Sequence, residues 1–160
     1  MAAGGLPKPT PDSAKNTILA GLEMQDFIRK RSVEQRKMKK VPFRMRLGIH
    51  TGHVMAGIVG FKKFQYDLWG DTVNTASRLE SRGGIGKVNI SQETYLLVKD
   101  EDIFTFEPRG QVQVKGKGKL EMFYVELKVT QPEVKWDSEQ LMANGAPARL
   151  PPGVRHPVAF

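Results

Sequence analysis

Three polar residues of complementary chemistry sit close together in the stretch FQYDLWGDTVNTASRLE, residues 64–80. Asp67 is a carboxylate that accepts hydrogen bonds and donates none. Asn74 carries an amide and Arg78 a guanidinium. The four-residue spacing of Asn74 and Arg78 puts both on one face of a helix. Val73, Ala76 and Leu79 take another face, and Asp71 or Thr72 can cap the helix start after a break at Trp69-Gly70. A carboxylate on a turn beside a rigidly held amide and guanidinium could read a nucleotide at base, sugar and phosphate. The plainer alternatives are a surface turn aspartate for Asp67 and, for Arg78, a helix-surface ion pair in the surroundings of Glu80 or Asp71.

A second basic element is VKGKGK, in which Lys115, Lys117 and Lys119 alternate with glycine. Lysine is a point-charge phosphate binder, and glycine lets backbone approach a ligand. Alone, this motif equally describes an exposed basic turn. His50, His53 and His156 do not have metal-ligand spacing, and no acidic residue is placed beside them in the sequence, so structural or surface roles are expected. Phe61, Phe64 and Tyr66 could stack bases; packing of a loop or a subunit contact is the simpler use.

The elements that must hold these residues follow from periodicity. Residues 1–10 read as a strand end running into a Gly/Pro loop. Thr10-Pro11 starts a helix that runs to about Lys37, with Ala14, Ile18, Leu22 and Ile28 as its apolar stripe. Pro42 ends it. Residues 43–50 alternate, Phe43, Met45, Leu47 and Ile49 against Arg44, Arg46, Gly48 and His50, which predicts a half-buried strand. His53 to Val59 then reads as its hairpin partner, with Gly57 and Gly60 suited to close approach of a ligand or backbone. Phe61 to Tyr66 reads as a loop. A helix over 71–82 ends at Gly83-Gly84, and Val88–Ile90 is a short strand. Ser91 caps a short helix through Val98. Strands are expected at 103–106, 111–114 and 122–127, the first two joined by a turn at Pro108-Arg109-Gly110. From about residue 129 periodicity stops and half of the ten prolines follow, which marks 129–160 as a partly disordered tail. This order predicts an α+β domain over 1–128, built on a mixed sheet with helices on one face.

The 160 residues suffice for one domain with a real core. No apolar run is long enough to span a bilayer. Cysteine is absent, which fits a reducing compartment. The net charge of +8 is concentrated: residues 29–46 hold nine cations and one anion, Glu34. This reads as a solvated helix end followed by a charged strand face, and any nucleic-acid or membrane contact would have to use it. A nucleic-acid function further lacks an aromatic RNP-type strand.

IHTGHVMAGIVG, QYDLWGDTVNTASRLES and RGQVQVKGKGKLEMFYV, in this order and spacing, resemble the catalytic domain of class III nucleotidyl cyclases. The resemblance covers roughly residues 1–127. It implies a ferredoxin-like sheet and conversion of ATP to cyclic AMP and pyrophosphate. It further implies a site shared between two chains of a homodimer or a heterodimer with another cyclase domain. Asp67 matches the position that separates adenylate from guanylate cyclases, and aspartate is the adenylate choice. Asn74 and Arg78 match the ribose and α-phosphate contacts. Lys115 matches the triphosphate contact, with Lys117 as the alternative. The family uses two Mg²⁺ or Mn²⁺ ions held by two aspartates, the second just before a segment resembling Met1 to Pro7. The resemblance therefore puts both aspartates, and the strand lysine that helps read adenine, before residue 1. Asp12 and the other acidic residues do not recreate the pair. The expectation is an N-terminally truncated domain, inactive alone and cytoplasmic, from a parent protein that could be membrane-anchored. The alternative is a regulatory or nucleotide-binding half that pairs with a complete partner.

Overall fold

The computed structural model describes residues 1–114 and 116–128. Lys115 and the tail expected over 129–160 lie outside the described residues. Helix α1 (Ser13–Lys37) is followed by β1 (Leu47–Ile49), β2 (Met55–Val59) and β3 (Gln65–Trp69). Helix α2 (Asp71–Arg82), β4 (Val88–Ser91), α3 (Gln92–Val98), β5 (Phe104–Val114) and β6 (Gly118–Leu127) complete the order.

Four strands form one mixed sheet in the order β1-β4-β6-β5, with β1 parallel to β4 and the other pairs antiparallel. This is the expected α+β architecture with a mixed sheet. The expectation that the helices share one face is corrected. Ile18 of α1 and Val98 of α3 pack with Val88, Ile90, Phe123 and Val125 on one side. Leu79 of α2 packs with Val114 and Met122 on the other. The cause is visible in β4, whose four residues are all buried. Val88 and Ile90 meet α1 and α3, while Asn89 turns the other way and donates to the Leu79 carbonyl at 2.8 Å. A strand buried on both sides carries a helix on both sides.

The hairpin expected between 43–50 and 53–59 is also corrected. β1 pairs with β4, and β2 pairs instead with β3 as a separate antiparallel ribbon. The alternation in 43–50 is real, but only Leu47–Ile49 joins the sheet. The segment read as a loop over 61–66 contributes Gln65 and Tyr66 to β3. Gly60, at φ 120°, makes the ribbon turn, a conformation that L side chains rarely adopt.

Other boundaries moved by small amounts. Residues 1–12 hold no strand, and α1 starts at Ser13, whose side-chain oxygen accepts from the Thr10 amide at 3.0 Å. Ser91 caps α3 as expected, accepting from the Thr94 amide. The two strands expected at 103–106 and 111–114 are one, β5, with a register shift at Pro108/Gly110 in place of a turn. An irregularity of this kind accommodates proline without ending the strand.

Candidate active site

Strand β3 passes directly into α2 through Gly70, which holds φ 131° and is the helix cap. Capping by Asp71 or Thr72 is therefore corrected. Asp71 is the first helical residue, favourably placed for the helix dipole. The Thr72 hydroxyl donates to the His53 carbonyl at 2.5 Å, tying α2 to the segment before β2.

Asp67 sits on β3 and not on a turn, opposite Gly57 of β2. Its side chain is exposed, and one oxygen accepts from the Leu68 amide at 2.8 Å. Trp69 lies across Gly57: a Cβ at Gly57 would stand 3.1 Å from the indole. Gly57 thus makes room for a side chain of the same ribbon.

Asn74 and Arg78 are both exposed on α2, beside the buried stripe of Thr75 and Leu79. Among the described residues Arg78 makes no ion pair. The alternative partners are taken, Glu80 by Arg46 at 2.9 Å and Asp71 by Lys117. The guanidinium is left facing solvent.

Lys117 is on the turn between β5 and β6, which its ion pair with Asp71 brings to the first turn of α2. Gly116 and Gly118 have φ 78° and 74°, and a Cβ on either would meet nothing within 4 Å. These two glycines are required by the backbone conformation of the turn.

His50 follows β1 and is largely buried behind this region. Its Nδ1 lies 2.8 Å from Ser91 Oγ and 3.6 Å from a Glu93 oxygen. Burial holds its pKa below the ordinary value, opposed by Glu93, assisted by Lys117 and opposed weakly by Asp71. The acidic neighbour missing from the sequence around His50 is thus supplied by α3.

Two further residues position α2 and were not singled out by sequence reasoning. Gly48 allows the helix backbone onto the sheet: a Cβ there would stand 2.5 Å from the Ala76 oxygen and 2.7 Å from the Leu79 carbonyl carbon. Arg109 clamps the other end, donating to the Arg82 carbonyl at 2.9 Å and to Asn89 Oδ1 at 3.3 Å, with its guanidinium 4.5 Å from the Tyr124 ring centre. The glycine in an otherwise alternating strand was the available signal for Gly48. Arg109 had none, because its partners depend on the strand register.

Among the described residues, no group of three His, Cys, Asp or Glu side chains converges as a metal site. Near α2 the carboxylates are Asp67, bonded to its neighbouring amide, Asp71, paired with Lys117, and Glu80, paired with Arg46. This donor set does not fit a two-ion centre. No helix among the described residues is long and apolar enough to cross a membrane.

A mixed sheet covered on both faces, with a polar helix entered from an antiparallel ribbon, superposes on solved adenylyl and guanylate cyclase domains. The adenylate and guanylate cyclase catalytic domain model matches residues 1–127, and the chain belongs to that family. It is 39% identical over 125 residues to a membrane guanylyl cyclase of Dictyostelium discoideum, covering 78% of this chain and 8% of that protein. It is 36% identical over 125 residues to an adenylate cyclase of Mycobacterium tuberculosis, covering 78% and 27%. The guanylate cyclase domain of a Catenaria anguillulae protein in complex with GTP superposes with a TM-score of 0.69 at 32% identity. That match covers 78% of this chain and 65% of the solved one. The chain thus spans only a small part of these curated relatives.

Proposed function

We propose that this chain forms the base-, ribose- and phosphate-binding part of an adenylate cyclase site, which converts ATP to cyclic AMP and pyrophosphate. The carrying observation is the continuity of β3 and α2. Asp67 stands on the ribbon that leads through Gly70 into the helix bearing Asn74 and Arg78, and Lys117 is fastened to the first turn of that helix. Asp67 accepts from the adenine exocyclic amine and repels the oxygen that guanine carries at the same place. Asn74 orients the ribose, so that the 3′-hydroxyl faces the α-phosphate. That hydroxyl gives up its proton to solvent, its oxygen bonds to the α-phosphorus, and the bond from that phosphorus to the departing pyrophosphate breaks. The exposed Arg78 guanidinium offsets the negative charge that builds on the pentavalent phosphorus. Lys117, or Lys115, binds the triphosphate as a point charge.

The family's Mg²⁺ or Mn²⁺ ions stabilise the attacking and leaving oxygens when bound. Because the carboxylates described above do not fit that role, their ligands belong elsewhere, and this chain by itself is expected to bind ATP without turning it over. The ribbon supports a partner as the source of the remainder. Its Ile58, Phe61, Phe64 and Tyr66 side chains are all exposed, Phe61 fully. Contiguous exposed apolar surface of this kind marks an association face, here for a second copy or another cyclase domain.

Base choice gives the test. The wild type and Asp67→Cys are assayed with ATP and GTP, in a domain that joins this chain to the metal-bearing segment of an active relative. A thiol faces the guanine oxygen without charge repulsion, so the ratio of ATP to GTP rates should fall. An unchanged ratio overturns the adenylate assignment. The second reading, a regulatory half-domain, is favoured if ATP binds and the joined domain stays inactive.

A further inference from the structure

The end of α1 and the segment after it form a surface that the proposed cyclase site does not use. The last buried residue of α1 is Gln25, which donates to the Met45 and Lys87 carbonyls. Twelve more helical residues, Asp26–Lys37, run on without a buried side chain. Lys39, at φ 56°, reverses the chain. The returning segment is fastened to this end of the helix at Phe43: Ser32 Oγ donates to the Phe43 carbonyl at 2.9 Å, and the Phe43 amide donates to Gln35 Oε1 at 3.1 Å. Helix end and return segment are therefore one surface.

That surface combines charge with apolar side chains. It carries the nine cations of residues 29–46. Arg29 and Lys30 are paired with Asp26, Arg31 with Glu34 and Arg46 with Glu80. Among the described residues, Arg36, Lys37, Lys39, Lys40 and Arg44 make no ion pair. Between these cations stand Val33, Met38, Val41 and Phe43, exposed by 48%, 64%, 88% and 62%. Exposed aliphatic side chains gain nothing from water, and the unpaired cations call for an anionic partner.

We propose that this tip docks on an anionic phospholipid surface. Arg36, Lys37, Lys39, Lys40 and Arg44 meet the headgroup phosphates and carboxylates, and Met38, Val41 and Phe43 enter the interface between headgroups and acyl chains. Charge complementarity selects this occupant. A second copy docking through the same surface would bring the same nine cations against it. Nucleic acid would satisfy the charge and leave Val33, Met38 and Val41 without a partner, since its binding surfaces rely on flat aromatic groups for stacking. Basic residues interleaved with apolar ones are instead the pattern of interfacial binding. The inference is independent of the cyclase reading.

The test is sedimentation of the full chain with vesicles of phosphatidylcholine alone or with added phosphatidylserine. Phosphatidylserine should tighten binding by about tenfold or more, and added salt should weaken it. Combined Lys37→Gln, Lys39→Gln and Lys40→Gln should remove about tenfold or more of that gain. Met38→Ser with Val41→Ser should weaken binding severalfold and make it more sensitive to salt. Lys62→Gln with Lys63→Gln, in the β2–β3 turn, should leave it unchanged. Were the triple variant unfolded by circular dichroism, the phosphatidylserine dependence and salt titration of the wild type decide alone. Indifference to phosphatidylserine overturns the proposal, as does an equal loss in the Lys62/Lys63 variant. Tighter binding to a single-stranded RNA oligonucleotide than to vesicles, unaffected by Met38→Ser with Val41→Ser, also overturns it in favour of nucleic acid.

Discussion

The backbone of α2 at Glu80 lies directly against Gly48 of β1, with no space for a Cβ between them. The neighbouring atoms, from Ala76, Leu79 and Glu80, are all backbone, so no side-chain rotation relieves a clash. Gly48→Ala must lift the helix or distort β1. Overpacking of this kind costs about 1–3 kcal/mol. Chemical denaturation should show a loss in that range, and ATP binding should weaken, because the same helix carries Asn74 and Arg78. Unchanged stability would show that α2 rides higher on the sheet than described.

The contact also shows where the sequence was legible. The polar residues of 67–78 announced a site because residue types four apart on a helix share a face whatever the tertiary context. The helix over 71–82 and the Ser91 cap are local in the same sense. Gly48 looked like one member of an alternating strand, and its use depends on α2 crossing the opposite face. Nothing local separates a strand that pairs with its neighbour in sequence from one that pairs with β4, 41 residues on. For the same reason the ribbon of β2 and β3 was missed: Phe61 to Tyr66 has the aromatic composition of a strand, but its partner is only visible once β2 is free of β1. Asp67 was thus expected on a turn and is found on a strand.

Arg78 should act on the reaction more than on binding. Its guanidinium is exposed and makes no ion pair among the described residues, so it is available to the phosphate. A contact that strengthens as charge builds on phosphorus is read in kcat. In the joined domain, Arg78→Ala should lower kcat on the order of 10²-fold with little change in KM. A rise in KM alone would make Arg78 a ground-state contact. Asn74→Ala in parallel separates ribose orientation from loss of the helix, whose content circular dichroism reports.

The ion pair of Asp71 with Lys117 holds the β5–β6 turn at α2 and also occupies a lysine proposed for the triphosphate. The carboxylate is largely exposed, and surface pairs contribute little, so Asp71→Asn should change stability by less than about 1 kcal/mol. It also removes an anion from beside the phosphates. ATP binding by the chain, followed by calorimetry, should therefore tighten in Asp71→Asn and weaken in Lys117→Ala. If both variants bind as the wild type does, Lys117 is not at the triphosphate, and Lys115 is the residue to test.

His50 gives the domain a defined response to acid. Burial lowers its pKa from 6.5; Glu93 opposes this, Lys117 adds to it and Asp71 opposes it more weakly. The unfolded chain therefore takes up the proton at a higher pH than the folded chain. By linkage, the stability contributed by neutral His50 is complete above about 6.5 and is lost as pH falls toward the folded value. Glutamine is polar, of similar length, and does not titrate. Thermal melts between about pH 7.5 and 5.5 should show the wild type losing more stability on acidification than His50→Gln. Carboxylates common to both proteins cancel in that comparison. Equal slopes, or a wild type that gains relative to His50→Gln in acid, would mean that Glu93 outweighs burial. The pair at 3.6 Å would then be an ion pair in which His50 is charged.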